Sequence, residues 1–214
     1  NMQEGIETIG KVLKIKGKVL PVTLDSPVLV GKMVDGTIVR GEHNITQSKK
    51  DILDVYYEKE VKANPKVIEE IGKADLILLS MGSLYTSIIP DLLSPEIISA
   101  IDKSKAKIMY IANMMTQPGE TDGFKVSDHI KVLNRYLGEK KISVVIANTG
   151  EIPDEVAKKY ATEEQKDPVI FDRENLGDIE VIAKDYVTVV QHVIRYKPNK
   201  LALDIYGYLL EQGE

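Results

Sequence analysis

Three short segments contain most of the side chains in this sequence that could bind a ligand. In the first, hydroxyl residues and a glycine follow the apolar run 74–79. Free backbone N–H groups at a helix start favour an anion, and a glycine lets that anion approach closely. We interpret this segment as a cradle for phosphate or carboxylate, with ordinary helix capping as the alternative. Its candidate residues are Ser80, Gly82, Ser83, Tyr85 and Thr86.

The second segment, residues 116–123, is the densest in polar groups. Its amide and hydroxyls suit the edges of a base or a sugar, and its carboxylates suit sugar hydroxyls or a magnesium ion. A solvated turn is the alternative, because Pro-Gly alone marks a turn. The candidate ligand-binding residues here are Thr116, Gln117, Glu120, Thr121 and Asp122.

Asn113 and Asn148 close two further apolar runs and complete the set of candidate ligand-binding residues. An asparagine in this position is usually a turn former, and for Asn148 alone we keep that interpretation, whereas the two asparagines facing one crevice favour a ligand-binding role. Asp128 joins Glu120 and Asp122 as a candidate magnesium ligand. The sequence has no Ser/His/Asp order, no His/Glu metal spacing and no Gly-x-Gly-x-x-Gly, so nucleophilic catalysis has no support and no catalytic residue is assigned.

The elements that must position these residues are three buried strands. Continuous apolar runs of strand length end at Ser80, Asn113 and Asn148, which are 33 and then 35 residues apart. That spacing matches one strand–helix–strand unit, and right-handed crossovers bring the carboxyl ends of parallel strands to one edge of the sheet. Ligands of open α/β sheets bind outside that edge. The sequence therefore predicts an α/β, Rossmann-like three-layer fold with a mainly parallel sheet and one pocket shared by the three loops.

The remaining segments predict an antiparallel appendage and a series of helices. Asp35-Gly36 between apolar runs indicates a hairpin over 28–40, followed by a loop over 41–48. Further strands are expected at 18–23, 51–57, 167–171 and 179–183, and residues 187–195 are either strand or loop. Helices are expected at 1–15 with Gly17 as terminator, and from Pro65, Ser94-Pro95, Ser127 as N-cap, Pro153 and Pro198.

Composition limits the class of protein. The 214 residues suit one α/β domain, 1–214, within which 24–60 form a hairpin or edge appendage. A net charge of −5 argues against nucleic acid as a partner, and the absence of cysteine excludes disulfides and thiolate metal sites. No apolar run reaches about 18 residues and no signal peptide is visible, so we expect a cytoplasmic protein without membrane insertion.

The polar loops also carry a family resemblance. SMGSLYTSIIPDLL (80–93) and NMMTQPGETDGFKVSDHI (113–130) resemble the two signature loops of the bacterial gluconeogenesis-factor family, with weaker similarity at 19–23, 35–42 and 200–202. That family is related to 2-phospho-L-lactate transferase. The resemblance implies a Rossmann-like fold, a cytoplasmic protein that binds a nucleotide or nucleotide-sugar, and a role in growth on gluconeogenic carbon sources and in cell shape or wall synthesis. It leaves open a homo-oligomer or a regulatory protein partner.

The sequence departs from the family pattern at two places. The first loop usually reads Gly-Pro-Gly-Ser, and here it reads Ser80-Met-Gly-Ser83. The family also begins with a strand and a Gly-rich phosphate loop, which we expect to be missing from this chain. The leading hypothesis is a nucleotide-sugar-binding regulator. The alternatives are a magnesium-dependent, 2-phospho-L-lactate transferase-like enzyme that transfers a phospho-linked group from a nucleotide donor, and a scaffold with a vestigial pocket.

Overall fold

The strands of the chain form three separate sheets in the computed structural model, which describes residues 2–212. In chain order the strands are β1 (Leu29–Met33), β2 (Ile38–Arg40), β3 (Ile52–Tyr57), β4 (Leu76–Leu79), β5 (Lys107–Ile111), β6 (Ile142–Asn148), β7 (Glu180–Lys184), β8 (Val187–Val190) and β9 (Val193–Tyr196). The α-helices are α1 (Met2–Val12), α2 (Glu42–Ser48), α3 (Pro65–Lys73), α4 (Pro95–Lys103), α5 (Val126–Tyr136), α6 (Asp154–Lys159) and α7 (Pro198–Gln212). Short π- or 3₁₀-helical turns are Leu84–Ile88, Ile89–Leu92, Tyr160–Glu164 and Arg173–Asn175.

The main sheet is parallel throughout, with the strand order β4-β5-β6-β7. Its strands alternate between two apolar cores: in β5, Ile108 and Tyr110 belong to one and Met109 and Ile111 to the other. A strand covered on both faces needs apolar residues at consecutive positions, which explains the continuous runs in the sequence. The predicted α/β fold with a mainly parallel sheet is confirmed.

Helices pack on both faces of this sheet and make the three layers. One core contains Ile97 and Ile101 of α4 together with Ile130 and Leu133 of α5. The other core contains Leu201 and Tyr208 of α7, the helix predicted from Pro198. Among residues 2–212, no helix combines the length and the apolar composition that a membrane crossing requires.

The antiparallel hairpin turns at Asp35-Gly36, as predicted. β1 pairs with β2 on one side and with β3 on the other. Gly36 has a φ of 83°, and the Asp35 carboxylate accepts a hydrogen bond from the Thr37 N–H at 2.8 Å. Met33 and Val55 of this sheet share a core with α4 and α5. The appendage is therefore fixed against the main sheet by common packing.

Several predictions of local structure are wrong. Within the predicted loop 41–48, residues Glu42–Ser48 form α2, because Ile45 packs in the core although Gly41 offers no side-chain cap. Residues 18–23 contain only one isolated bridge, between Thr23 and Ala63. Residues 167–171 likewise make only isolated bridges instead of a strand. The first helix ends at Val12, before the predicted terminator, and its predicted first residue lies outside the described residues.

The predicted N-cap of α5 has a different role. Lys125 occupies the N-cap position, and the Asp128 carboxylate accepts from its backbone N–H at 3.0 Å. Ser127 instead donates its hydroxyl to the buried Asp172 carboxylate at 2.7 Å, and its N–H donates to the same group at 3.0 Å. The serine therefore ties the start of the helix to a distant segment, which the local sequence pattern does not reveal.

Candidate functional site

The loops after β4, β5 and β6 meet at the carboxyl edge of the parallel sheet. The first two are linked directly, because the Asn113 amide donates to the Gly82 carbonyl at 2.9 Å and the Gln117 amide donates to the Ser83 hydroxyl at 2.7 Å. Asn148 ends the next strand, β6. Ser83, Asn113 and Asn148 therefore lie on one edge of one sheet, as predicted.

A cavity of about 720 Å³ opens at this edge, and we call it the first cavity. Among the predicted residues, Gly82, Ser83, Asn113, Thr116 and Gln117 line it. The rest of its lining comes from three methionines of the same two loops and from elements distant in sequence, including the β8–β9 hairpin. Those further lining residues are Met81, Met114, Met115, Tyr160, Lys166, Thr188, Val190, Ile194, Arg195, Tyr196 and Pro198.

A second cavity of about 640 Å³ lies beside the first and shares Asn113 and Met114 with it. Asn148 lines this second cavity together with the loop that follows it. The side-chain amide oxygen of Asn148 accepts from the N–H groups of Gly150, at 3.1 Å, and Tyr186, at 2.8 Å. Because these bonds occupy its acceptor, Asn148 orders the loop in addition to lining the cavity.

Four of the predicted residues point into the protein instead of the cavities. Tyr85, Thr86, Glu120 and Thr121 are all buried and line neither cavity at the edge. The Glu120 carboxylate accepts from the Tyr85 N–H and from the Thr86 hydroxyl, each at 3.0 Å. Burial raises the pKa of the Glu120 carboxyl, and these two hydrogen bonds oppose the rise. This carboxylate therefore joins the two signature loops from the inside.

Hydrogen bonds within and around the second loop fix its shape. The Thr121 hydroxyl accepts from the Gln117 N–H at 2.9 Å, and the Thr116 hydroxyl accepts from the Asp167 N–H at 2.9 Å. Gly119 has a φ of 79°, and a Cβ there would lie 2.5 Å from the carbonyl carbon of Lys49. Only glycine fits at that position without moving the backbone.

The three candidate magnesium ligands do not converge. Glu120 is occupied as described above, and the Asp122 carboxylate accepts from the Gly119 N–H. Asp128 accepts from the Lys125 N–H and from the Lys131 ammonium at 3.2 Å. Among residues 2–212, no three His, Cys, Asp or Glu side chains cluster to hold a metal ion. This donor set does not fit a protein-built magnesium site, which needs several oxygen ligands around one point.

Two further residues of the loops are placed outside the cavity linings. Ser80 is exposed, and its hydroxyl lies 3.0 Å from the Met81 sulfur. His129 is fully buried against Tyr110 and Phe124, and its Nδ1 lies 3.0 Å from the Lys125 carbonyl oxygen. Burial lowers the pKa of His129, so the neutral imidazole is favoured. Its Nε2 has no hydrogen-bond partner within the described residues.

Sequence reasoning missed Tyr160, Lys166, Arg195 and Tyr196 in the first cavity. The last two stand on β9, which pairs with β8 through a turn at Gln191-His192 with φ values of 51° and 63°. Hairpins of this kind are normally signalled by Asn-Gly or Asp-Gly, because non-glycine residues rarely adopt positive φ. The alternation of apolar residues in 187–195 was the only available signal.

Another cavity, of about 700 Å³, lies between α1 and α3 and shares no lining residue with the two at the edge. It is formed without any residue of the three polar loops. The two cavities at the carboxyl edge are therefore the candidate functional site.

Comparison with known proteins agrees with this architecture. The sequence profile described as "2-phospho-L-lactate transferase CofD" matches residues 1–187. The chain belongs to the CofD family. The family match ends at Val187, the first residue of β8, so Ile194, Arg195 and Tyr196 of the first cavity lie beyond it.

Relatives within the CofD family carry a different name. The chain is 42% identical over 200 residues to the "Gluconeogenesis factor" of Bacillus subtilis, covering 92% of this chain and 63% of that protein. It is 41% identical over 201 residues to the "Gluconeogenesis factor" of Halalkalibacterium halodurans, covering 92% and 62%. The crystal structure of a Bacillus halodurans protein matches with a TM-score of 0.90 and 39% identity, over 95% of this chain and 66% of that one. The chain thus spans somewhat under two thirds of the relatives' length.

Proposed function

We propose that this CofD-family chain binds a nucleotide or nucleotide-sugar at the carboxyl edge of its parallel sheet and acts as a regulatory protein of the gluconeogenesis-factor type. The observation that carries the proposal is the composition of the first cavity. It combines a wall of methionine and tyrosine side chains with two cationic side chains and the polar groups of the signature loops.

Each part of that lining matches a part of a nucleotide. Met81, Met114 and Tyr196 offer apolar and aromatic surface for a planar base. Arg195 lines the same cavity, and its side chain has no hydrogen-bond or ion-pair partner among the described residues, so its guanidinium is available to a phosphate. Lys166 adds a second positive charge, although Glu164 already pairs with it at 2.7 Å.

The side chains of the loops support binding over turnover. The carboxylates that would assist a transfer reaction, Glu120, Asp122 and Asp128, are each engaged in local hydrogen bonds. A catalytic group must reach the reacting atoms, and these three groups do not line the first cavity. The resemblance of its loops to the gluconeogenesis-factor family extends the proposal to a cytoplasmic protein with a role in growth on gluconeogenic carbon sources and in cell shape.

The second candidate function is the transferase activity in the name of the matching family profile. A transferase of that kind would consume its nucleotide donor, whereas a regulator would release it unchanged. The two functions are therefore separated by whether the ligand survives incubation with the protein.

Isothermal titration calorimetry of the whole protein against a panel of nucleotides and nucleotide-sugars tests the proposal. At least one ligand should bind, and Arg195→Gln should weaken it about tenfold to a hundredfold, as expected for loss of a charge-assisted hydrogen bond of about 1.5–3 kcal/mol. Lys105→Gln, which removes an exposed positive charge outside both cavities, is the matched control and should leave affinity unchanged. Equal affinity in wild type and Arg195→Gln, or consumption of the bound ligand, would contradict the regulator proposal.

A further inference from the structure

The two cationic side chains of the first cavity come from separate segments of the chain. Lys166 follows the π-helical turn Tyr160–Glu164, and Arg195 lies on β9. A phosphate that contacts both cations needs them at a defined separation, because hydrogen bonds weaken steeply when their distance or angle is poor. Any residue that fixes these two segments relative to each other therefore affects how the cavity binds a phosphate.

Tyr160 is bonded to both segments. Its hydroxyl accepts from the Ile194 N–H at 3.2 Å, and Ile194 directly precedes Arg195 in β9. Its backbone carbonyl accepts from the Lys166 N–H at 3.2 Å. The tyrosine is buried and lines the first cavity together with both cations. One side chain and its own carbonyl thus link the backbone at Lys166 to the backbone next to Arg195.

The hydroxyl of Tyr160 satisfies an open edge of the β8–β9 hairpin. Among the described strands, β9 pairs with β8 alone, so its other edge presents backbone groups to no strand. The Ile194 N–H is one of these groups, and Tyr160 supplies its acceptor. On the other side of Arg195, the Tyr196 hydroxyl donates to the Ala112 carbonyl at 2.5 Å, just after β5. The backbone of Arg195 is therefore held through both of its neighbours.

The Arg195 side chain depends on that backbone for its position. It forms no hydrogen bond or ion pair of its own within residues 2–212. A long side chain without a partner has many rotamers, and ordering it during binding costs free energy. Fixing the backbone beforehand reduces the number of arrangements that must be lost when a phosphate binds.

The turn that contains Tyr160 has an uncommon geometry. Residues Tyr160–Glu164 are π-helical, and Gln165 then has a φ of 56°. Single π-helical turns are rare and occur frequently at functional sites, and a non-glycine residue at positive φ persists only where the surrounding structure enforces it. This turn brings the Tyr160 ring and Lys166 to the same cavity. Its geometry is consistent with a role in the site.

We propose that Tyr160 is a positioning residue for the phosphate part of the ligand, because its hydroxyl sets where Arg195 stands relative to Lys166. The inference rests on the proposed function, since the phosphates occupy the first cavity. It assigns a role to an uncharged side chain that acts through another residue. The Tyr160 hydroxyl should therefore affect phosphate binding only while Arg195 is present.

Calorimetric titration of the whole protein with ADP, GDP, CDP and UDP tests this role. Tyr160→Phe removes the hydroxyl and keeps the ring and the backbone carbonyl. It should weaken binding of the tightest-binding diphosphate about fivefold, because Arg195 must then be ordered during binding. In the Arg195→Gln background the same substitution should change the affinity by less than about twofold. Tyr206→Phe, at an exposed tyrosine outside the first cavity, is the matched control and should bind like wild type.

Hydrogen exchange of the wild-type protein without ligand gives a measurement that needs no variant. The Ile194 amide, which donates to Tyr160, should exchange at least about tenfold more slowly than the amide of His192 in the exposed turn of the hairpin. Equally fast exchange of the two amides would show that Tyr160 does not hold β9, and it would refute the positioning role.

The outcomes separate this inference from the proposed function. If Arg195→Gln weakens diphosphate binding but Tyr160→Phe does not, the positioning role is refuted and the nucleotide site stands. If Tyr160→Phe causes the same loss with and without Arg195, the hydroxyl does not act through Arg195, and the positioning role is again refuted. If no diphosphate binds the wild-type protein, both proposals fail.

Discussion

Glu120 provides the sharpest test of how the two signature loops are held together. Its side chain is buried, with only 5% of its surface exposed, and its carboxylate links the loops by accepting from the Tyr85 N–H and the Thr86 hydroxyl. Glu120→Ala removes both acceptors. The Tyr85 N–H is then left without a partner inside a buried turn, whereas the Thr86 hydroxyl can rotate toward another acceptor.

The expected loss of stability follows from those two contacts. A hydrogen bond to a charged group contributes about 1.5–3 kcal/mol, and a buried donor left unpaired costs about 1–3 kcal/mol. Burial of the carboxylate offsets part of this, since the pKa of Glu120 is raised by desolvation. We therefore expect Glu120→Ala to lower the free energy of unfolding by about 2–5 kcal/mol, and Glu120→Gln, which keeps one acceptor oxygen, by about 1–2 kcal/mol.

Urea unfolding followed by far-ultraviolet circular dichroism measures these changes, with Glu155→Gln as an exposed control. Thr86→Val in a double-mutant cycle with Glu120→Ala should show coupling of about 1 kcal/mol or more, because the two side chains are in contact. Surface substitutions change the free energy of unfolding by less than about 0.5 kcal/mol. If Glu120→Ala changes it by no more than that and ligand affinity is lost, Glu120 contacts the ligand and does not hold the two loops together.

Three further outcomes are expected. Because the pKa of the Glu120 carboxyl is raised in the folded state, the folded state holds this proton more firmly than the unfolded chain does. The contribution of Glu120 to stability should therefore decrease as pH rises above about 4.5. Urea titrations from pH 4 to 8 should show this trend in wild type and not in Glu120→Gln. The lowered pKa of His129 has the opposite sign: stability should fall as pH drops below about 6.5, by at most about 1.4 kcal/mol per pH unit, and His129→Phe should flatten the profile. Gly119→Ala should lower the free energy of unfolding by about 2–4 kcal/mol because Gly119 has a positive φ and lies close to the Lys49 backbone. Gly123→Ala should lower it by only about 1 kcal/mol, because Gly123 has a φ of 69° but open space around it. Equal losses in the two variants would show that the contact with Lys49 is unimportant.

The parts of the fold that the sequence predicted are those with a local signal. Continuous apolar runs identified β4, β5 and β6, since strands buried on both faces need them. Asp35-Gly36 identified the hairpin because glycine accepts the positive φ that the turn imposes. By contrast, α2 forms because tertiary packing buries Ile45, and its sequence has no capping pattern that would announce it.

The sequence predicted which loops form the candidate site, but not which of their side chains face the cavities. The spacing of the strands placed Ser83, Asn113 and Asn148 at one edge, but it could not show which side chains turn inward. Glu120 illustrates this limit, because its partners lie 34 and 35 residues away in the chain. Arg195 was not found because the β8–β9 turn uses non-glycine residues with positive φ.

A crystal structure of the protein with a bound nucleotide or nucleotide-sugar tests the central claim most directly. The account predicts the base against the methionine and tyrosine side chains of the first cavity and the phosphates within hydrogen-bond distance of Arg195. Ligand density at another surface, such as the cavity between α1 and α3, with the carboxyl edge of the sheet unoccupied, would contradict it.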